Sequence, residues 1–168
     1  MRFEITKKQT GSYNCFVCGK DNPGGLFAQF YETSNDEVVS IIKTDIGHQS
    51  YPERTHGGVI CAILDETAGR AIWVTEKNTL AVTAKIEIKY HRPVPLNEEF
   101  LAVGKVDSNT SRWFKATGKI FDKQGNLLAE SNGTYVKQSS NAISNSDEMT
   151  TDINLFIPDE TPVSVIEW

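Results

Sequence analysis

The chain has 168 residues with 39% hydrophobic and 10% aromatic side chains, and 17 Lys and Arg stand against 22 Asp and Glu for a net charge of -5. That is the length and composition of one globular domain, able to hold a core without staples, and 12 glycines with 6 prolines exclude a collagen-like or low-complexity chain. An acidic chain without a basic block does not read as a nucleic-acid binder, no run reaches the roughly 18 apolar residues of a membrane span, and 3 cysteines argue against a disulfide framework. Met1 to Lys8 lack the apolar stretch of a signal peptide, so the expected location is cytoplasmic.

Residues 1–25 hold Cys15, Cys18, Pro23 and turn formers from Gly19 to Gly25, which predicts an irregular entry segment. Leu26–Glu32 and Glu37–Lys43 are β-prone runs separated by Thr33-Ser34-Asn35-Asp36, the pattern of a hairpin. Thr44–Thr55 reads as a loop carrying His48 and Glu53. Over 57–76, apolar side chains recur at Val59, Ile60, Ile63, Leu64, Ala68, Ala71 and Ile72, a helical spacing with Thr55 as the expected N-cap. Apolar character covers most of the circumference, so this helix is expected to be buried on several sides.

The period then changes to two. Thr79–His91 alternates Ala81, Thr83, Lys85, Glu87 and Lys89 against Val82, Ala84, Ile86, Ile88 and Tyr90, a half-buried strand with one wet face. Phe100–Asp107, Trp113–Phe121 and Leu127–Lys137 are further strands, the last two joined by the turn-like Asp122–Asn126. The expected fold is α+β, one long central helix wrapped by a mainly antiparallel sheet of about six strands, filling residues 1–137. Residues 138–168 read as a polar linker and a C-terminal tail. Gln138–Asp152 is rich in Ser, Asn, Thr and Asp. Ile153–Trp168 regains apolar residues that either dock on the body or a neighbouring chain, or stay disordered.

The residues with chemical potential concentrate at the start and middle of the helix. Gly57 and Gly58 open it, and unpaired N–H groups at a helix start favour negative charge. Such donors can serve as an oxyanion hole, although two glycines also simply permit a tight turn and close packing. Glu66 has Arg70 at i+4 and reads as half of an ion pair. Asp65 has no basic residue at i+3 or i+4, and its stripe of Gly58, Cys61, Ala62, Gly69 and Ile72 is mostly small. A carboxylate in that setting needs a partner from elsewhere or a purpose, and poor solvation would raise its pKa and make it a better base. The alternative is a bond to another chain's backbone at an interface.

Cys15-Phe16-Val17-Cys18 reads as two small buried cysteines, with half of a zinc site or a redox pair as the alternatives. Cys61, His48, His56 and His91 are too distant in sequence to complete a metal motif, and no metal or cofactor is expected. His56 has no Ser or Cys nucleophile motif beside it, and neither GxSxG nor a phosphate loop is present.

His56-Gly57-Gly58 followed by an acid on a helix at Asp65 resembles the hotdog-fold acyl-CoA thioesterases, most closely the phenylacetic-acid-pathway type of the hydroxybenzoyl-CoA thioesterase superfamily. Cys15-Phe16-Val17-Cys18-Gly19, Asn22-Pro23, Gly25-Leu26, His48-Gln49, Tyr51-Pro52 and Tyr90-His91-Arg92-Pro93-Val94-Pro95 are similar to one branch of those proteins, and the resemblance covers about residues 13–137. It implies a homodimer or homotetramer acting on acyl-CoA bound between subunits. Asp65 would be general base or nucleophile, the Gly58 and Gly57 backbone would bind the thioester oxygen, and Thr83 would help place water. His56, Ser50, Gln49 and Glu66 would lie near the substrate. Many members carry Asn where this chain has Ser50, with Gln49 beside it. That departure leaves open a non-catalytic hotdog module binding acyl-CoA or a fatty ligand, and a hotdog hydratase ranks below both.

Overall fold

A computed structural model describes residues 1–144 and 163–168. Its strands are β1 (Arg2–Lys8), β2 (Tyr31–Thr33), β3 (Glu37–Lys43), β4 (Ala81–Tyr90), β5 (Glu99–Asn109), β6 (Trp113–Phe121), β7 (Leu127–Lys137) and β8 (Val165–Glu167). The long helix is α1 (Gly57–Arg70), and α2 (Ser140–Ile143) is a single turn. All strands join one sheet in the order β4-β7-β6-β5-β3-β2-β1-β8, and every pairing is antiparallel. One central helix lies on this sheet, the α+β arrangement expected from the periodicity and the hotdog fold that the resemblance implied. No helix among the described residues is long and apolar enough to cross a membrane.

Among the described residues the sheet has eight strands where about six were expected, because both ends of the chain contribute one. Arg2–Lys8 is a strand within the entry segment that had read as irregular, with Phe3 buried. Its partner β8 comes from the tail, in the register Arg2↔Glu167, Phe3↔Ile166 and Glu4↔Val165. Trp168 adds an indole N–H bond to the Asp122 carbonyl (2.7 Å). The rest of the expected linker and tail, residues 145–162, lies outside the described residues.

Three boundaries moved for physical reasons. Of the run 26–32, only Tyr31 and Glu32 pair with β3. Leu26, Ala28 and Phe30 still alternate inward, but the Leu26 and Ala28 N–H groups bond to the Phe16 and Val17 carbonyls of the entry segment instead (both 2.9 Å). The α-helix ends at Arg70 and tightens into a 3-10 turn over Ala71–Val74, as helix ends often do. The N-cap is His56 and not Thr55: His56 Nδ1 accepts the Gly58 N–H at 2.9 Å. The buried Thr55 hydroxyl turns instead to Thr44 Oγ1 at 2.6 Å.

Helix α1 buries Ile60, Ile63, Leu64, Thr67 and Ala68 against the sheet core of Val38, Ile42, Phe100, Ala102 and Ile120. It comes closest at Gly104 of β5 and Gly118 of β6, which face each other in register. A Cβ on Gly104 would collide with the Thr67 carbonyl oxygen. One on Gly118 would lie 2.8 Å from Ser131 Oγ and 3.0 Å from the Leu64 carbonyl. Both carbonyls belong to the helix backbone, which cannot step aside singly.

Gly104→Ala is therefore expected to destabilise by about 3 kcal/mol, the upper end of overpacking costs. Gly118→Ala should cost less, and Gly57→Ala, whose Cβ would meet nothing closer than 3.7 Å, should be near neutral. Denaturant unfolding of the three variants checks the ranking.

Candidate active site

Asp65 sits in the middle of α1, on the side turned toward β4 and β7 rather than toward the core. The Thr83 hydroxyl of β4 reaches both of its carboxylate oxygens, at 2.9 Å from Oδ1 and 3.1 Å from Oδ2. One hydroxyl proton serves one oxygen at a time, which leaves acceptor capacity free on the carboxylate. The buried Tyr135 hydroxyl donates to the Asp65 main-chain carbonyl at 3.2 Å, and a Cβ on Gly133 would strike that ring. Burial pushes the Asp65 carboxyl above its ordinary range; hydrogen bonds from Thr83 and Tyr135 oppose this, and the Glu66 charge adds to it. Burial likewise raises the Tyr135 phenol, so it stays a donor.

Asp65 and Thr83 line a cavity of about 320 Å³ between α1, the entry segment and the start of β4. Gly69, Trp73, Leu80 and Ala81 supply part of its wall, and Cys15, Cys18, Glu66 and Arg70 close its inner side.

Glu66 lines the cavity but is already paired. Its Oε1 is held by Arg70 Nε at 2.7 Å. Buried Arg70 also donates to the Thr10 carbonyl (2.8 Å) and to Cys18 Sγ (3.0 Å), and its guanidinium lies over the rings of Phe30 and Trp73. The i+4 spacing revealed the Glu66–Arg70 pair, whereas Cys18 at Arg70 is a long-range contact with no local signal.

The N-terminal end of α1 forms a second, separate cleft of about 380 Å³, lined by Ser50, Tyr51, Arg54, Gly57, Tyr90 and Arg92 among others. The Gly58 N–H, expected as the anion donor, is bonded to His56 Nδ1. The Gly57 N–H has no acceptor among the described residues, while the Gly57 carbonyl accepts the Tyr90 hydroxyl at 2.9 Å. Ser50 and Gln49 build the preceding turn: Ser50 N–H and Oγ both reach the Arg54 carbonyl (2.9 and 3.4 Å), and Gln49 Oε1 accepts the Glu53 N–H (3.3 Å). Buried His48 is occupied by Asp45 at 3.0 Å.

The expected site residues thus fall into two groups within one chain. Asp65, Thr83 and Glu66 share the cavity; Gly57, Ser50 and, beside them, His56 and Gln49 belong to the helix start. Gly57 and Asp65 are eight residues apart on one helix, about 12 Å at 1.5 Å rise per residue.

Residues 54–129 match the sequence model of the Thioesterase superfamily. The acyl-coenzyme A thioesterase THEM4 of Rattus norvegicus is 32% identical over 73 residues, which are 44% of this chain and 30% of that protein. The chain therefore spans well under half of that relative's length. Among solved structures, the PaaI protein from the phenylacetic acid degradation operon of E. coli superposes with a TM-score of 0.61 at 16% identity, over 68% of this chain and 81% of that one. A hypothetical thioesterase protein from Streptococcus pneumoniae solved with coenzyme A gives 0.57 at 17% identity, over 61% and 82%. The chain resembles the hotdog-fold thioesterases in sequence, and these structures share its fold.

The raised Asp65 pKa has a stability consequence with a definite sign. The folded state binds this proton more tightly than the unfolded state. That stabilisation is complete below the unfolded pKa of roughly 3.9 and is lost as pH rises through the folded value. Ionised Asp65 therefore costs stability at neutral pH. Asp65→Asn is expected to raise Tm above wild type at pH 7, with the gap closing toward pH 4 in thermal scans. A lower Tm at pH 7 would mean that the Thr83 bonds outweigh burial.

Proposed function

We propose that this chain, whose residues 54–129 match the thioesterase superfamily, hydrolyses acyl-CoA thioesters in a homo-oligomer, with each site built from two copies. The observation that carries the reading is Asp65: a carboxylate on the cavity wall, raised by burial and oriented by Thr83. A base poised upward in this way removes a proton from water more effectively than an exposed aspartate. The names of the rat relative and of the coenzyme A-bound structure support a CoA thioester as the substrate class.

In the general-base form, Asp65 takes a proton as the water oxygen bonds to the thioester carbon. The charge moves to the carbonyl oxygen, where the Gly57 N–H stabilises it. Collapse of the intermediate breaks the C–S bond, and the leaving thiolate takes the proton from Asp65. In the nucleophilic form, Asp65 bonds to the same carbon, the C–S bond breaks and the CoA thiolate leaves, and water then hydrolyses the resulting anhydride to the free acid and the Asp65 carboxylate. Arg54 and Arg92 flank the Gly57 cleft, where anionic parts of CoA would gain from positive charge.

A second copy follows from distance. Oxyanion donors act at about 2.7–3.1 Å, so an Asp65 and a Gly57 about 12 Å apart on one helix cannot serve one carbonyl. Two antiparallel copies of α1 would set each Asp65 beside the other chain's Gly57. The sheet suits such pairing: β4 ends it and leaves Val82 and Tyr90 41% and 51% exposed on an open edge. The competing reading, a non-catalytic binding module, is favoured by the bonding of Gly58 to His56 and of Ser50 to Arg54.

Thiol release from a panel of short, medium, long and aromatic acyl-CoAs should detect turnover that falls about 10²–10⁴-fold in Asp65→Asn. Gly57→Pro deletes one N–H at a position that suits proline, since His56 already holds φ -64° and ψ 137°. It should fold and lose about 10²–10³-fold. Mixing the two inactive variants should restore roughly a quarter of wild-type activity if sites are shared, because half the dimers are mixed and one of their two sites is intact. Saturable binding without hydrolysis in wild type would favour the binding module.

A further inference from the structure

Cys15 and Cys18 take no part in the hydrolysis proposed above, yet both line the Asp65 cavity. The chain turns tightly through them. The Gly19 N–H bonds to the Cys15 carbonyl at 2.9 Å, and a Cβ at Gly19 would collide with that same oxygen. The turn points two backbone N–H groups at Cys15 Sγ, from Val17 at 3.3 Å and Cys18 at 3.5 Å. Cys15 is half-buried at the cavity, whereas Cys18 is 6% exposed behind it. Their sulfurs and a Glu66 oxygen lie within 4.8 Å of one another.

Three such donors would suit a metal ion, but a cation already stands among them. Arg70 spans Cys18 Sγ at 3.0 Å and Glu66 Oε1 at 2.7 Å. Its bond to the Thr10 carbonyl and its two ring contacts fix it there. A divalent ion bound to both donors would face this guanidinium in a buried site, which is unfavourable. The remaining chemistry is that of the dithiol.

We propose that Cys15 and Cys18 are a thiol–disulfide exchange centre, with Cys15 the attacking and Cys18 the resolving thiol, acting on small-molecule disulfides that enter the Asp65 cavity. Cys15 Sγ bonds to one sulfur of RSSR and expels RS⁻, giving a mixed disulfide. The Cys18 thiol passes its proton to that RS⁻. Cys18 Sγ then bonds to Cys15 Sγ and expels the second RS⁻. The dithiol loses two electrons and the small disulfide gains them. The new bond, about 2.05 Å long, draws Cys18 toward Cys15 and away from Arg70, so oxidation loosens a tie between the entry segment and α1.

The surroundings divide the two roles. The Cys18 thiol and the two N–H groups hold Cys15 down to about 6, against burial and the Glu66 charge. The same hydrogen bond and burial push Cys18 up. Cys61, elsewhere on α1, is raised by burial and the Asp65 charge. The charged and titratable groups that share the wall with Cys15 are Asp65, Glu66 and Arg70 of α1, Tyr135 of β7 and Cys18 itself. At pH 7 Cys15 is mostly thiolate, and it should outreact Cys61 by roughly one order of magnitude, its larger thiolate fraction outweighing its lower intrinsic nucleophilicity.

The test uses the full chain equilibrated with mixtures of oxidised and reduced glutathione, acid-quenched, alkylated and weighed by intact and peptide mass. Loss of two alkylation sites at Cys15 and Cys18, with Cys61 still alkylated, is expected. Cys18→Ser should trap one glutathione on Cys15, and Cys15→Ser should trap none. Alkylation of Cys15 should show a midpoint near pH 6. Both cysteines staying alkylatable at every glutathione ratio would overturn the proposal. So would one zinc per chain that protects both thiols. No hydrolysis is read, so failure here and failure of the thioesterase reading are separate results.

Discussion

The close approach of α1 to the sheet sets where everything else in the molecule lies. Gly104 and Gly118 face each other across β5 and β6, and the Thr67 and Leu64 carbonyls of the helix rest where their side chains would be. A helix seated at that depth has one rotational setting. Ile63, Leu64, Thr67 and Ala68 point into the sheet, so residues 65, 66, 69 and 70 must point along it, toward the entry segment, β4 and β7. Asp65 reaches the cavity because its neighbours are pinned. Protein interiors transmit such constraints because they are packed to the density of organic crystals.

Arg70 is the second organising point. It is buried, yet it bonds to the Thr10 carbonyl, Glu66 and Cys18 and stacks on Phe30 and Trp73. The entry segment has little regular structure between β1 and β2, and this guanidinium ties it to the helix beside the core packing of Val17, Leu26 and Phe30. A planar fork with five donors can satisfy a carboxylate, a carbonyl and a sulfur together, which lysine's point charge cannot. Breaking one partner of such a buried cation costs more than the bond alone, because the charge remains. The chemistry of Cys18 is therefore coupled to the stability of the cavity's inner wall.

Much of this was readable from residue order. The change from helical to alternating periodicity near residue 79 marked the start of β4, although α1 itself stops at Arg70 and passes into a 3-10 turn to Val74. The long strands β6 and β7 lie where alternation places them. Asp65 stood out because a helix-interior carboxylate lacked an i+3 or i+4 partner, and the residue that meets it, Thr83, lay on the face of the next strand predicted to be polar. Local patterns carry that much information because their partners are near in sequence. The misses are long-range. β1 has only Phe3 and Ile5 to signal it, and its partner β8 lies more than 150 residues away. The Arg70–Cys18 contact spans 52 residues and involves a sulfur, for which no spacing rule exists. The N-cap was misassigned because Thr55 has the usual capping chemistry, but tertiary packing claimed its hydroxyl for Thr44.

The division of the candidate site into two clefts is a consequence of helix geometry rather than a defect of the fold. A single straight helix cannot bring its first turn and its third turn to one small reacting group, since each turn advances 5.4 Å. An anion-binding terminus and a mid-helix carboxylate can cooperate only by crossing to a second helix of the opposite sense, and two-fold symmetry is the simplest operation that supplies one. The same operation would use the open β4 edge and cover its exposed apolar side chains. One assembly step would thus satisfy the unpaired Gly57 N–H, the separation from Asp65 and the unfinished sheet. An acyl chain held between two copies would then meet side chains from both, so chain-length preference would be a property of the interface and not of either fold alone.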